Sequence, residues 1–145
     1  MDLEDFIIES NKIEGEQTLI ESELPVYKWL LDDDIDEKRL KEFHKRICDA
    51  RGQLSEGYRG HYRKVPVYIG NKEFPKPGSL NRLMTQFWED FWNNTPFENH
   101  KRFENIHPFI DLNGRTGRAL WLWQMGGECD LGFLHQFYYQ SLSSK

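Results

Sequence analysis

The stretch His107-Pro108-Phe109-Ile110-Asp111-Leu112-Asn113-Gly114-Arg115-Thr116-Gly117-Arg118 decides the fold of this 145-residue chain. Within twelve residues it places a proton acceptor, a carboxylate, a flexible turn and two arginines. The residues that follow, Ala119 to Met125, are apolar on nearly every side and predict a buried helix that begins at this loop. Because the free N–H groups and the dipole of a helix start favour an anion, the pattern predicts a polyphosphate site.

The side chains of this stretch suit a polyphosphate. Arg115 and Arg118 are three residues apart on one helical face and can both contact phosphate oxygens. Asp111 can hold a divalent cation, and His107 can take a proton from an attacking hydroxyl. The alternative is structural, with a capping histidine, a polar turn and two solvated arginines. It is disfavoured because the helix dipole would place acids at a helix start.

The stretch resembles the signature of Fic-domain proteins, which is His, any, Phe, any, Asp or Glu, Gly, Asn, Gly, Arg, two of any, Arg. Seven of the eight specified positions match, and the exception is Leu112, where the family usually carries glycine. The resemblance implies one Fic domain over residues 1–145. Its fold would be all-α, a compact helical domain with one β-hairpin flap over the active site.

The resemblance also implies an activity, transfer of AMP from ATP to a Ser, Thr or Tyr hydroxyl of a target protein. The chain would then be a protein adenylyltransferase. The implied roles are His107 as general base, Asp111 as the ligand of Mg²⁺, and Asn113, Gly114, Arg115 and Arg118 as the residues that contact the ATP phosphates.

The region 59–75 resembles the Fic flap. Val65, Val67 and Ile69 alternate in a β-rich run, and Gly70-Asn71 is a turn pair, so the residues themselves also predict a hairpin. An extended target peptide could add to its edge as another strand. The alternative is a small structural hairpin that only covers the core. The predicted docking residues are Val67, Tyr68, Ile69 and Gly70.

Residues 1–20 contain Ser10-Asn11-Lys12-Ile13-Glu14-Gly15, which resembles the family's inhibitory motif. Apolar residues of this region approximate one face of a short helix that ends near Gly15. The resemblance implies that Ser10 and Glu14 are inhibitory and that Glu14 pairs with Arg118, withholding it from the γ-phosphate. A glutamate before a helix-ending glycine is otherwise common and without function.

Four further helices are predicted before the signature or leading into it, and one after it. Tyr138 and Tyr139 of the last one are implied by the resemblance to contact the adenine base, with core packing as the alternative. His44 and Cys48 are interpreted as packing residues, and the acidic run Asp32-Asp33-Asp34 as a solvated turn. The predicted helices span about Glu23–Leu31, Asp36–Ala50, Gly78–Asn93, Phe97–Ile106 and Leu131–Ser141.

The composition fits a small intracellular catalytic domain. An apolar fraction of 38%, with five tryptophans and ten phenylalanines, can fill one core. The net charge of −5 argues against a nucleic-acid partner. The two cysteines show no metal-ligand spacing, and neither a signal segment nor a membrane span is predicted, so we expect a cytoplasmic protein. Association with a second copy of the chain is left open.

Leu112 leaves other functions open. If this position needs a positive φ, leucine costs about 1–2 kcal/mol of strain. Doc toxins, relatives within the family, carry alanine there, which indicates that a side chain pointing away from the nucleotide is accommodated. One alternative is another phospho-transfer or removal of AMP. A second is a nucleotide-binding module without turnover, and a third is a toxin restrained by Glu14.

Overall fold

The computed structural model describes residues 2–127 and shows a helical domain with one small hairpin. The predicted fold class is confirmed. The predicted helix 131–141 lies outside the described residues. The helices are α1 (Leu3–Ile13), α2 (Ile20–Leu31), α3 (Glu37–Arg51), α4 (Leu80–Asp90), α5 (Pro96–Ile106) and α6 (Asn113–Gln124), and the antiparallel strands are β1 (Tyr68–Ile69) and β2 (Lys72–Glu73).

Local capping explains most helix boundaries. The Asp36 side chain accepts a hydrogen bond from the N–H of Arg39 at 2.7 Å and starts α3, which ends at Gly52 with a φ of 64°. Thr95 caps α5 in the same way, directly before Pro96. The acidic run 32–34 is exposed between α2 and α3, as predicted.

Two predicted helices had wrong boundaries. Helix α2 begins at Ile20 rather than near Glu23, because the Glu23 carboxylate reaches back to the N–H of Leu19 at 3.2 Å and supports an extra first turn. Helix α4 is shorter than the predicted 78–93, since 3₁₀ turns at 77–79 and 91–93 flank it.

An aromatic core joins the helices. Phe87 of α4 contacts Phe103 of α5 edge to face, with ring centroids 6.2 Å apart, and Phe109 of the signature loop lies 6.3 Å from Phe103. The middle of α6, Ala119–Leu122, is buried, as the apolar run predicted. The signature loop is therefore anchored to the core on its inner side. No described helix has the length and apolar character needed to cross a bilayer.

The hairpin is shorter than its sequence suggested. The turn Gly70-Asn71 is correct, and Gly70 takes a φ of 61°. The alternation of Val65, Val67 and Ile69 does not bury one face, since Val65 is 38% and Ile69 47% exposed. The reason is that the hairpin projects from the helices and only Phe74, on its return, is buried. A pattern of period two therefore marks an exposed hairpin in this chain.

Candidate active site

The signature forms a loop between α5 and α6 that the Asn113 side chain closes. Its Oδ1 accepts from the N–H of Phe109 at 2.9 Å, and its Nδ2 donates to the C=O of Phe109 at 2.8 Å. Because this uses both ends of the amide, the predicted phosphate contact at Asn113 would come from its backbone. Helix geometry leaves the N–H groups at the start of α6 without intrahelical acceptors, which is a suitable donor set for an anion.

Leu112 stands where the family signature usually has glycine, and the alternative functions depend on how the loop accommodates it. It is the N-cap of α6 and has a φ of 63°, so the site does require the left-handed conformation. Its side chain is buried in the core at 3% exposure. The leucine therefore points away from the anion-binding side of the loop, and its cost is about 1–2 kcal/mol of backbone strain rather than obstruction.

His107 ends α5 with a φ of 53° and stacks on Phe74, with ring centroids 4.3 Å apart. Burial, and then the nearby Arg63 guanidinium, lower its pKa from 6.5 to about 4, against the opposing effect of a hydrogen bond to the backbone of Glu104. The imidazole is consequently neutral near pH 7. A neutral imidazole is the form that accepts a proton.

Asp111 presents an exposed carboxylate beside the helix start. Its Oδ1 accepts from the N–H of Leu112 at 2.8 Å, which fixes the side chain and leaves the second oxygen for a ligand. Residues 2–127 contain no group of three or more His, Cys, Asp or Glu side chains that could hold a metal. A single carboxylate fits Mg²⁺ shared with substrate phosphates, since Mg²⁺ commonly takes one or two carboxylates with phosphate and water.

His44 contributes to the site although its sequence position indicated only packing. Its ring stacks on Phe109 with centroids 3.8 Å apart. Its Nδ1 accepts from the N–H of Gly60 at 2.9 Å, so its Nε2 is the protonated nitrogen and donates to the C=O of Asp111, also at 2.9 Å. Burial lowers the pKa of His44 to about 4. No local sequence signal separates this role from packing, because both partners are distant backbone groups.

The N-terminal helix covers Arg118, where the structure places the two residues of the predicted inhibitory motif. The Nε of Arg118 donates to the Ser10 hydroxyl at 2.8 Å, and its Nη2 donates to the Ser10 C=O at 3.2 Å. The same Nη2 donates to the Glu14 carboxylate at 2.6 Å. Arg118 is 6% exposed, and Ser10 of α1 and the C-cap residue Glu14 together accept from two of its nitrogens.

Gly114 provides the room for this contact. A Cβ at this position would overlap the Glu14 carboxylate and press on the Arg118 guanidinium. Glu14 therefore lies directly over the first turn of α6. That turn is where the free N–H groups predict an anion, so the carboxylate occupies the position of an anion in this structure.

Arg115 is held by the same N-terminal segment through two residues that the motif did not indicate. Its Nε donates to the Asn11 side chain at 2.6 Å, and its Nη2 lies 3.3 Å from the Glu16 carboxylate. Arg51 of α3 binds the same carboxylate at 3.1 Å and also pairs with the buried Glu23. Such contacts join residues far apart in sequence, and charge alone could not single them out.

Two groups of predicted site residues remain, the flap residues and the two tyrosines, and the structure describes only the flap residues. On the flap, Tyr68 is 61% and Ile69 47% exposed, with Val67 and Gly70 beside them along the hairpin. These side chains are free to meet another molecule. Tyr138 and Tyr139 lie outside the described residues.

One loop of this helical domain with its projecting hairpin carries a neutral histidine and two arginines at a helix start, a combination that suits an anion. The chain belongs to the Fic/DOC family, whose model matches residues 34–125. The match begins after α1, so the contacts of Ser10 and Glu14 are established by this chain's own geometry.

Curated relatives share part of the chain. The protein adenylyltransferase Fic of Drosophila grimshawi is 35% identical over 94 residues, which cover 57% of this chain and 18% of that protein. The protein of the same name from Drosophila melanogaster is 34% identical over 98 residues, 60% of this chain and 19% of that protein. The chain thus spans less than a fifth of the length of these relatives.

Solved structures show the same fold. A Fic family protein from Desulfovibrio desulfuricans matches with a TM-score of 0.66 at 24% identity, covering 82% of this chain and 46% of that one. A Fic domain containing signaling protein from Bacteroides thetaiotaomicron matches with a TM-score of 0.60 at 19% identity, covering 84% of this chain and 63% of that one.

Proposed function

We propose that this chain is a protein adenylyltransferase domain, which transfers AMP from ATP to a hydroxyl side chain of a target protein. Relatives that bear this name match part of this chain, and the family model matches residues 34–125, which include the signature. The observation that carries the proposal is the convergence of a neutral imidazole and a helix start with two arginines on one loop. His107 would accept the proton of the attacking hydroxyl, and the helix start would bind the phosphates.

The proposed chemistry needs one proton transfer and one displacement. The hydroxyl oxygen of the target attacks the α-phosphorus while His107, neutral because of its burial, accepts the hydroxyl proton. The bond from the α-phosphorus to the bridging oxygen breaks, and pyrophosphate leaves with that electron pair. Arg115, Arg118 and the N–H groups at the start of α6 would stabilise the charge that builds on the phosphates.

Asp111 would hold Mg²⁺ in this proposal. The ion would neutralise negative charge on the phosphates and favour departure of pyrophosphate. The chain's own contribution is to fix the carboxylate through the N–H of Leu112 and to fix the loop backbone through His44.

The flap would receive the target. Tyr68 and Ile69 are exposed on a two-residue strand whose outer edge can pair with an extended peptide. Main-chain pairing would place the target hydroxyl near His107, because the return of the hairpin delivers Phe74 against the His107 ring. The side chains at 68 and 69 would then add apolar contact.

We further propose that α1 inhibits the reaction. Glu14 and a γ-phosphate would compete for the same guanidinium, and the Glu14 carboxylate already lies over Gly114. Asn11 and Glu16 hold Arg115 in a parallel way. Both signature arginines would therefore have to exchange N-terminal partners for phosphates before transfer.

The test uses the full chain as Glu14→Gly, incubated with Mg²⁺ and ATP labelled at the α-phosphate. We expect labelled protein and an intact mass increased by one AMP, with no transfer by Glu14→Gly/His107→Ala and none in EDTA. Label from the γ-phosphate would instead indicate phosphorylation. ATP binding without any transfer would contradict the proposal and indicate a nucleotide-binding module.

A further inference from the structure

Arg63 is a buried arginine that binds backbone carbonyls of both the flap and the signature loop. It is 2% exposed. Its Nε donates to the C=O of His107 at 2.7 Å, and its Nη2 donates to the C=O of Ile106 at 3.3 Å. Toward the hairpin, its Nη1 donates to the C=O of Val65 at 3.1 Å, and its Nη2 to that of Pro75 at 2.6 Å.

The contacts of Arg63 with these carbonyls satisfy the end of α5 and also balance the buried charge of the guanidinium. Ile106 and His107 end α5, and the last carbonyls of a helix lack intrahelical donors and carry the negative end of its dipole. The Arg63 cation therefore stabilises that helix end while its own charge is balanced by carbonyl dipoles. The planar guanidinium can point several N–H groups in fixed directions, which an ammonium cannot do.

The flap carbonyls come from opposite sides of the hairpin. Val65 precedes β1 and Pro75 follows β2, so one side chain ties both stems of the hairpin together. The backbone N–H of Arg63 also donates to the C=O of Pro108 at 2.9 Å. Main chain and side chain together bind three consecutive residues, 106–108, to the base of the flap.

The contacts of Arg63 hold the backbone of His107 in a strained conformation. It holds a positive φ, which is strained for a residue with a side chain and persists only where the surroundings impose it. The contacts of Arg63 to its carbonyl and to the carbonyls on either side impose that backbone. The imidazole position and the flap position are thus set by the same guanidinium.

We propose that Arg63 is a positioning residue that fixes the distance between the flap-bound target and the His107 base. The inference rests on the proposed adenylyl transfer and extends it to a residue outside the signature. The hydrogen bonds of the Arg63 side chain go to the flap and to the end of α5, whereas the phosphates would bind at Arg115 and Arg118. Its loss should therefore impair the approach of the hydroxyl to the base and spare nucleotide binding.

The experiment compares Arg63→Met and Arg63→Lys, each in the Glu14→Gly chain, using a target protein or self-labelling as the acceptor. Lysine retains the charge but not the fork of donors. We expect both variants to lower kcat about a hundredfold, the scale reached by a displacement of about 1 Å, while ATP affinity stays within about twofold. Hydrogen exchange should rise together at amides of 64–76 and 106–110.

Arg59→Met is the matched control. Arg59 lies four residues earlier and also donates to backbone carbonyls, those of Gln53 and Leu54, but on the side toward α3. Its loss should leave kcat and the exchange of 106–110 unchanged. Arg63→Lys guards against simple unfolding of Arg63→Met, since it keeps the buried cation beside the α5 end.

The outcomes separate the two proposals. If Glu14→Gly transfers AMP and both Arg63 variants retain its kcat, the positioning role is overturned and the proposed function stands. If exchange rises only at the end of α5 and not in the flap, Arg63 is a helix cap and the inference also falls. If Glu14→Gly transfers nothing, the proposed function and this inference fall together.

Discussion

The Glu14 carboxylate and the Arg118 guanidinium are joined at 2.6 Å across 104 residues of sequence. The pair is partly buried, since the Arg118 side chain is 7% and the Glu14 side chain 33% exposed. Because Glu14 also lies over Gly114, the contact fills the space above the first turn of α6. Under the proposed function, a phosphate at that turn would have to displace the Glu14 carboxylate.

Release of this pair should raise adenylyl transfer. A hydrogen bond to a charged group contributes about 1.5–3 kcal/mol, so its loss in Glu14→Gly should increase the labelling rate about ten- to hundredfold. Glu14→Gln keeps the shape of the side chain and loses its charge, so its labelling rate should lie between those of wild type and Glu14→Gly. Rates are measured with α-labelled ATP below saturation, where competition for Arg118 matters most.

The control for this change is Asp5→Ala, an exposed acid on the same helix. It should leave the rate unchanged. Glu14→Gly/Arg118→Ala should be inactive, because the freed arginine is then missing. Equal labelling by wild type and Glu14→Gly would mean that Ser10 to Gly15 is only a helix end.

Glu16 provides a second, weaker restraint on the site. It lies 3.3 Å from Arg115, is shared with Arg51, and its side chain is 38% exposed. Exposed pairs contribute about 0.2–1 kcal/mol, so Glu16→Ala should raise the labelling rate by about fivefold at most. Gln17→Ala, at the next exposed position, should not change it. A larger gain than that of Glu14→Gly would contradict the proposal that Glu16 is the weaker of the two restraints.

The depressed pKa of His107 fixes the acid limb of the activity profile. A general base works in its neutral form, and burial keeps His107 neutral down to about pH 4 rather than 6.5. In Glu14→Gly, kcat/KM should therefore stay level as the pH falls from 8 through 6, with folding followed by circular dichroism at each pH. A midpoint near the ordinary histidine pKa would show that His107 is solvated or is not the base.

Buried neutral histidines should also make the fold less stable in mild acid. His100 is 8% exposed, and burial first lowers its pKa from 6.5 to about 4, with a hydrogen bond to the backbone of Gly117 opposing. Between these values the unfolded chain binds the proton and the folded chain does not. The free energy of unfolding therefore holds above pH 6.5 and falls as the pH drops toward 4, by at most about 1.4 kcal/mol per pH unit for one histidine.

Urea unfolding across that pH window measures the effect. His100→Gln should show a shallower decline than wild type, because one of the groups that titrates is gone. An unchanged slope would mean that His100 does not remain neutral in the folded protein.

The sequence predicted the elements whose signals are local. The signature loop, the helix that follows it and the turn Gly70-Asn71 depend on residue types at short spacing, and the structure has them where expected. The start of α2 was misplaced because its support comes from a side-chain contact, Glu23 to Leu19. The hairpin strands were overestimated because alternation does not reveal that the hairpin leaves the core.

The parts of the site that could not be predicted depend on distant partners. Arg63 and His44 act on backbone carbonyls of residues 106–111, and any buried polar side chain could have done so. Asn11 and Glu16 lie in the predicted inhibitory segment, yet their partner Arg115 is about a hundred residues away. Residue type limits which groups can pair, but the fold decides which of them meet.

Leu112 allows a test of backbone strain by thermodynamics alone. Its φ of 63° costs leucine or alanine about 1–2 kcal/mol, and glycine avoids this cost. Glycine in turn costs about 0.4–1 kcal/mol through the freedom of the unfolded chain. Leu112→Ala should lose about 2–5 kcal/mol for its buried side chain, and Leu112→Gly should be about 0.5–1 kcal/mol more stable than Leu112→Ala.

Leu120 is the matched control, because there the alanine variant should be more stable than the glycine variant. It is 1% exposed, so its truncation also opens the core, but it lies inside α6 with ordinary helical geometry. There glycine should be about 1 kcal/mol less stable than alanine. Urea unfolding of the four variants compares the two differences directly. If glycine is the less stable substitution at both positions, Leu112 is unstrained, and the preference of the family for glycine at this position needs another cause.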